Sequence, residues 1–179
     1  MSVPAWADLA KSEDEPDFMP LAMEFIASKR SFILHVPSWR NYLPLQKLVW
    51  KKVKYASQKK VVSKRGVYAF VVDSKTLLPG FFPPHSFILY IGETGNTSNS
   101  TLQTRLKNYR NPKNQKKRAH VWPMLHTWGD NLYFYYAEVS SKIDTKDCEQ
   151  ALLDALLPPL NMKDFSGVVN KARKHAFST

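Results

Sequence analysis

Two charged residues stand where helices should be apolar. Leu102, Leu106 and Tyr109 fall at i, i+4 and i+7 and define the inward stripe of one helix, and Arg105 lies inside that stripe. On a second helix Leu152, Leu153 and Leu156 follow Glu149 by three, four and seven positions, which turns Glu149 inward. Lys146, Asp147, Gln150 and Asp154 form the polar arc of the same helix. An unpaired buried charge is expensive, so each residue needs a partner or a task. One reading is an ion pair between the two, or stems snorkelling at the core edge. The other is a cleft lined by one cation and one hard oxygen ligand, as phosphodiester hydrolysis requires. A single carboxylate can hold Mg²⁺ when water and substrate phosphate complete the octahedron. The arginine can then neutralise charge growing on the scissile phosphate or the leaving oxygen.

The elements that must position these residues are partly legible. The first helix is expected to open at Ser100 or Thr101, either of which can cap it, and to run to about Tyr109 before the Asn111-Pro112 break. The second should open near Asp144 or Thr145 and must stop at Pro158-Pro159. Gly66–Asp73, Ser86–Gly92 and Leu132–Val139 read as strands, and their nearly continuous apolar runs predict a sheet covered on both faces. The prolines between Ser74 and His85 force a loop. Upstream, Pro20 suits the first turn of a short helix through Ile26, Ser31–Val36 reads as a strand, and Leu43–Lys60 is ambiguous. The end, Asn161–Thr179, reads as a short basic helix or tail.

The chain has 179 residues, 26 Lys+Arg against 15 Asp+Glu, and a net charge of +11. That length suits one domain, and 44% apolar residues exclude wholesale disorder. The charge is unevenly placed. Residues 1–20 carry a net of −4, residues 47–65 carry +8 with no acid, and residues 101–120 carry +7 with no acid. Runs without any acid are either solvated faces or meet a polyanion. The interleaved Tyr55, Gln58, Asn108, Tyr109, Asn111, Asn114 and Gln115 suit phosphate and sugar contacts. One cysteine excludes an internal disulfide and a Cys-rich zinc site. No apolar run spans a bilayer and no signal-peptide pattern opens the chain, so a cytoplasmic protein without a membrane partner is expected.

Gly66-Val67-Tyr68, Tyr90-Ile91-Gly92, Arg105, Glu149 and Asn161, in that order, resemble the motif set of the GIY-YIG nuclease superfamily. The resemblance implies an α/β fold of the α+β kind: a small three-stranded antiparallel sheet covered by helices on both faces. It divides the chain into a partly helical N-terminal extension (1–65) packed on the domain or on DNA, a nuclease domain (66–161), and a basic tail or helix (162–179). It further implies cleavage of DNA, double-stranded, with one Mg²⁺ or Mn²⁺ per site, in a restriction, defence, mobile-element or repair setting; a homodimer is compatible. By matching position, Tyr68 and Tyr90 would flank the attacking water, Arg105 would hold the phosphate, Glu149 would bind the metal and Asn161 would support the site. Gly66 and Gly92 would be backbone requirements. Lys64, Arg65, Lys107, Arg110, Lys113, Lys116, Lys117 and Arg118 would contact the nucleic acid.

The chain departs from the family pattern twice. Ala69–Leu89 exceeds the family's usual spacer, which reads as an insertion at Ser74–Ser86, and Tyr109 stands where many members carry a histidine. A non-cleaving nucleic-acid-binding module that keeps the fold is therefore the alternative. Tyrosine in solution is about one part in a thousand phenolate at neutral pH. A nearby metal, Arg105, Lys64 or Arg65 would lower that pKa. Tyr68 is expected to be the general base with Tyr90 as its partner, or the reverse. Tyr133, Tyr135 and Tyr136 read as ordinary strand aromatics, and Cys148 as buried filler. His120 and His126 are six apart with Pro123 between them, which excludes a helical metal pair.

Overall fold

Each strand of the sheet follows from where its apolar residues must go. In a computed structural model that describes residues 36–73, 86–115, 121–161 and 165–171, the chain is mixed α/β. Its helices are α1 (Val36–Asn41), α2 (Leu43–Gln46), α3 (Leu102–Arg110), α4 (Pro112–Gln115), α5 (Val121–Trp128) and α6 (Thr145–Leu156), with a further helical turn at 167–171. Its strands are β1 (Lys51–Lys54), β2 (Gly66–Asp73), β3 (Ser86–Thr94) and β4 (Leu132–Glu138). They form one antiparallel sheet in the order β1-β4-β2-β3.

Four strands, not three, make this sheet. The additional one, β1, lies in the upstream region, and its sequence Lys-Lys-Val-Lys buries only Val53. A border strand needs a single inward position, and its outward lysines stay in water. Val36, expected at the end of a strand, instead opens α1. The expected helix through Ile26, the loop Ser74–His85, and Lys116, Lys117 and Arg118 lie outside the described residues.

Alternation along β2 sends its residues to two separate cores. Tyr68, Phe70 and Val72 join Phe134 and Leu89 beneath α3 and α5, against Leu102, Leu106, Tyr109 and Met124. Val67, Ala69 and Val71 join Ile91 and Ala137 on the opposite face, against Leu45 of α2 and Cys148, Leu152 and Leu153 of α6. Helices thus cover both faces. Thr101 caps α3 by accepting from Thr104 N, and Asp144 caps α6 by accepting from Lys146 N and Asp147 N. Helix α6 ends at Leu157, whose φ of 42° turns the chain into Pro158. Among the described residues no helix is long and apolar enough to cross a membrane.

One irregularity has consequences for the site. Phe70 pairs with Tyr90, but Val71 pairs with Ile88, so Leu89 is an extra residue in β3. Both Leu89 and Tyr90 consequently pack on the α3 face, while Ile88 and Ile91 pack on the α6 face. Tyr90 faces the Tyr68 side because the register from Gly92, opposite Tyr68, to Tyr90, opposite Phe70, is unbroken, and the bulge sets Leu89 on that face beside it.

Candidate active site

Tyr68 sits in the centre of β2 and is 1% exposed. Its ring stacks on Phe134 at 5.1 Å and meets Tyr109 edge-on at 5.8 Å. Its hydroxyl shares a 2.9 Å hydrogen bond with the hydroxyl of Tyr109. Tyr90, opposite Phe70 on β3, joins them, with ring centroids 6.4 Å from Tyr68 and 6.5 Å from Tyr109. Tyr90 is the most exposed of the three, being only partly buried. Tyr109 is thus bound directly to Tyr68 by their hydroxyls.

The two motif glycines make room for this cluster. Gly92 pairs with Tyr68 across the strands, and a Cβ there would run into the Cζ and Oη of the Tyr68 ring. A Cβ on Gly66 would run into the carbonyl oxygen of Ala137 on β4 and stand 3.0 Å from Cδ1 of Leu102. Gly92 therefore accommodates a side chain, and Gly66 accommodates a neighbouring backbone.

Arg105 projects from α3 beside the tyrosines. Its Nη2 donates to the carbonyl oxygen of Glu93 at 3.3 Å, and its Nε is buried without an acceptor. Burial works against the charge, but the combined pull of Tyr68, Tyr109, Tyr90 and Glu93 outweighs it and raises the pKa. Among the described residues the ion pairs are Lys51–Glu138 and Lys52–Asp73, so Arg105 and Glu149 do not bridge each other.

Glu93 was not singled out by the sequence, yet it joins the two halves of the site. Its carbonyl receives Arg105, and its carboxylate accepts a 2.7 Å hydrogen bond from the hydroxyl of Thr145, the first residue of α6. Thr145 is buried, and Glu149 stands four residues further along the helix. Residues so spaced have Cβ atoms about 5–6 Å apart on one helix face. The partly buried Glu149 therefore lies one turn from the Glu93–Thr145 contact, on the helix packed against the α6 face of the sheet. The available signal was its position directly after Gly92, at the start of a polar run.

Asn161 is buried and its amide is spent on β3. It accepts from Ile91 N and donates to Ile91 O, both at 2.8 Å. Its own N–H reaches Pro158 O at 3.1 Å, and Leu160 N reaches Leu89 O at 3.1 Å. The turn after α6 is thereby fastened to the residues on either side of Tyr90.

The basic residues divide. Lys64, Lys107 and Lys113 are exposed. Arg65 is a clamp: its Nη2 donates to Ile143 O at 3.1 Å and its Nη1 to Ser141 O at 3.5 Å. Cys148 is buried in the α6-side core, and burial pushes its thiol pKa up. Comparison with family models, with curated proteins and with solved structures returns no match.

The ionisation of Tyr68 differs from the expectation that nearby cations lower it. Burial pushes its pKa well above the ordinary value of 10, Tyr109 and Tyr90 add to the rise, and Arg105 only partly opposes it. Tyr68 is a neutral phenol at pH 7. The folded chain holds this proton more tightly than the unfolded chain, whose tyrosines titrate near 10. Its contribution to stability is complete below about pH 10 and is lost as pH rises toward the folded pKa. Urea unfolding at pH 9 and pH 11 should show a loss of stability in the wild type that is smaller in Tyr68→Phe. Equal losses in both would mean that Tyr68 is not the buried titrating group.

Proposed function

We propose that this chain is a divalent-metal-dependent DNA endonuclease that hydrolyses a phosphodiester bond. The reading rests on one observation above all: Arg105 is a half-buried cation beside three tyrosines, with an unpartnered Nε and no carboxylate paired to it among the described residues. A cation so placed has no carboxylate at ion-pair distance among the described residues, and a scissile phosphate would supply its anion.

Glu149 would hold the metal. A single carboxylate oxygen donor suits only a hard ion that keeps most of its water, Mg²⁺ or Mn²⁺; no group of three or more His, Cys, Asp or Glu side chains suited to a metal occurs among the described residues. When bound, such an ion polarises the phosphate and acidifies a water. The chain's own groups do the rest. Arg105 binds and neutralises the phosphate. Tyr90, the most exposed tyrosine, takes the position facing the attacking water. Tyr68, a neutral phenol, and Tyr109, hydrogen-bonded to it, hold its ring in place from behind.

The test is direct. Purified protein incubated with supercoiled plasmid and Mg²⁺ or Mn²⁺ should yield nicked or linear DNA, and EDTA should prevent it. A second reading, a binding module that does not cleave, is favoured by the raised pKa of Tyr68 and by Tyr109 in the histidine position. Salt-sensitive DNA binding with no cleavage under either metal would establish it over the first.

A further inference from the structure

The connection from β1 to β2 lies along the flank of α3 that faces away from Arg105. Leu102 N donates to Lys64 O at 2.8 Å and Gln103 N to Val62 O at 3.2 Å. Upstream, the hydroxyl of Tyr55 donates to Tyr109 O at 2.8 Å, and Gln115 Nε2 donates to that hydroxyl at 3.1 Å. Tyr55 and Val61 are both buried. With these anchors set, residues 56–60 stand off the helix and leave a cleft of about 370 Å³. Its floor is apolar, from Val61 and Leu106, and its walls carry Lys59, Lys60, Lys107 and Arg110 with the amides of Gln58 and Gln103.

No acid lines this cleft, and among the described residues no carboxylate pairs with any of its four cations. Arg110 is held rigidly, its Nε donating to Tyr55 O at 3.0 Å, while its Nη2 is buried without an acceptor. Burial lowers the Arg110 pKa from the usual guanidinium value, with Tyr55 opposing. Four cations converging on a walled cleft, one of them immobilised, form an anion site rather than a solvated face.

We infer that this cleft is a second phosphate subsite, gripping the backbone of the DNA strand that Arg105 holds at the scissile position. The inference rests on the proposed reading of the site as DNA-cleaving. Arg105 points toward β3, whereas Gln103, Lys107 and Arg110 face residues 58–61, so the two anion sites lie on opposite flanks of α3. A helix with its side chains is about 10–12 Å across. On a strand whose successive phosphates are about 7 Å apart, the two sites would grip phosphates about two nucleotides apart. The surface between them carries Thr104, Lys107 and Asn108, all exposed and none acidic, so a polyanion can cross it.

The experiment measures duplex affinity by fluorescence anisotropy in EDTA across a salt series, which excludes cleavage from the readout. The triple variant Lys59→Gln/Lys60→Gln/Lys107→Gln is compared with Lys47→Gln/Lys142→Gln/Lys171→Gln, which removes the same charge from exposed positions elsewhere. The cleft variant should bind several-fold more weakly with a salt slope smaller by about one, and the control should keep the wild-type slope. Replacing the three cleft lysines by arginine should also keep it. Equal slopes in cleft and control variants would overturn the subsite. So would a poly-glutamate peptide that displaces labelled duplex as well as unlabelled duplex does. Wild-type protein that fails to bind duplex overturns the subsite together with the nuclease reading. Binding with the expected slopes but no cleavage in Mg²⁺ removes the nuclease reading alone.

Discussion

Glu149→Gln should abolish metal-dependent cleavage while leaving the chain folded. The substitution keeps the shape of the side chain and removes the charge that a hard cation needs. Glu149 is the one carboxylate that the proposed reading assigns to the metal, so no neighbour is expected to take over. The loss in single-turnover rate should exceed about 100-fold, comparable to removing a preorganised electrostatic group from an active site. Urea unfolding and circular dichroism should match the wild type. Duplex affinity in EDTA should hold or rise, because an acid has been removed from beside the phosphate path. A Gln variant that nicks plasmid at the wild-type rate would remove Glu149 from the site.

Gly66→Ala should be among the most destabilising single-methyl additions in the molecule. Its Cβ meets the carbonyl of Ala137, and that carbonyl belongs to β4, which is paired with β2 along seven residues. Relief requires the two central strands to part. The expected cost is about 3 kcal/mol or more, at the upper end for overpacking, read as a shift in the urea midpoint. Gly92→Ala should also destabilise, but by a different route. There the obstacle is the Tyr68 ring, caged by Phe70, Tyr90, Tyr109 and Phe134. Adding Tyr68→Leu should recover part of the Gly92→Ala loss, since the pair is in direct contact, and should recover nothing from Gly66→Ala. Equal rescue of both would mean that the two glycines do not accommodate different obstacles.

Local signals in the sequence carried much of the fold. The bounds of Gly66–Asp73 are legible because apolar β-branched residues run between a glycine and an aspartate, and β2 has those same bounds. Thr101 and Asp144 cap their helices because their side chains can accept the free N–H groups that follow. What escaped is whatever depends on partners distant in the chain. Lys-Lys-Val-Lys has no strand signature of its own, and only β4 makes it a strand. Helix α5 contains Pro123, which reads as a breaker, yet it occupies the first turn where its missing N–H costs nothing. Arg105 was legible as an inward cation from helical spacing alone. Glu93 was not, since what distinguishes it is a hydroxyl 52 residues away. The extra residue in β3 was equally invisible, because Leu89 and Tyr90 look like any two successive strand residues.

The fastening of Asn161 to Ile91 also governs how this molecule can meet its own copies. A sheet offers two borders, and a border with free N–H and C=O groups is a template on which another chain can add a strand. At β3 the Asn161 amide and the Leu160 N–H already occupy Ile91 and the Leu89 carbonyl, much as a neighbouring strand would. At β1 the border is four residues long and presents Lys51, Lys52 and Lys54. Two copies brought border to border at β1 would set lysine against lysine. Self-association by a continuous intermolecular sheet is therefore opposed at both ends, through the occupied backbone groups of Leu89 and Ile91 at one and like-charge repulsion at the other.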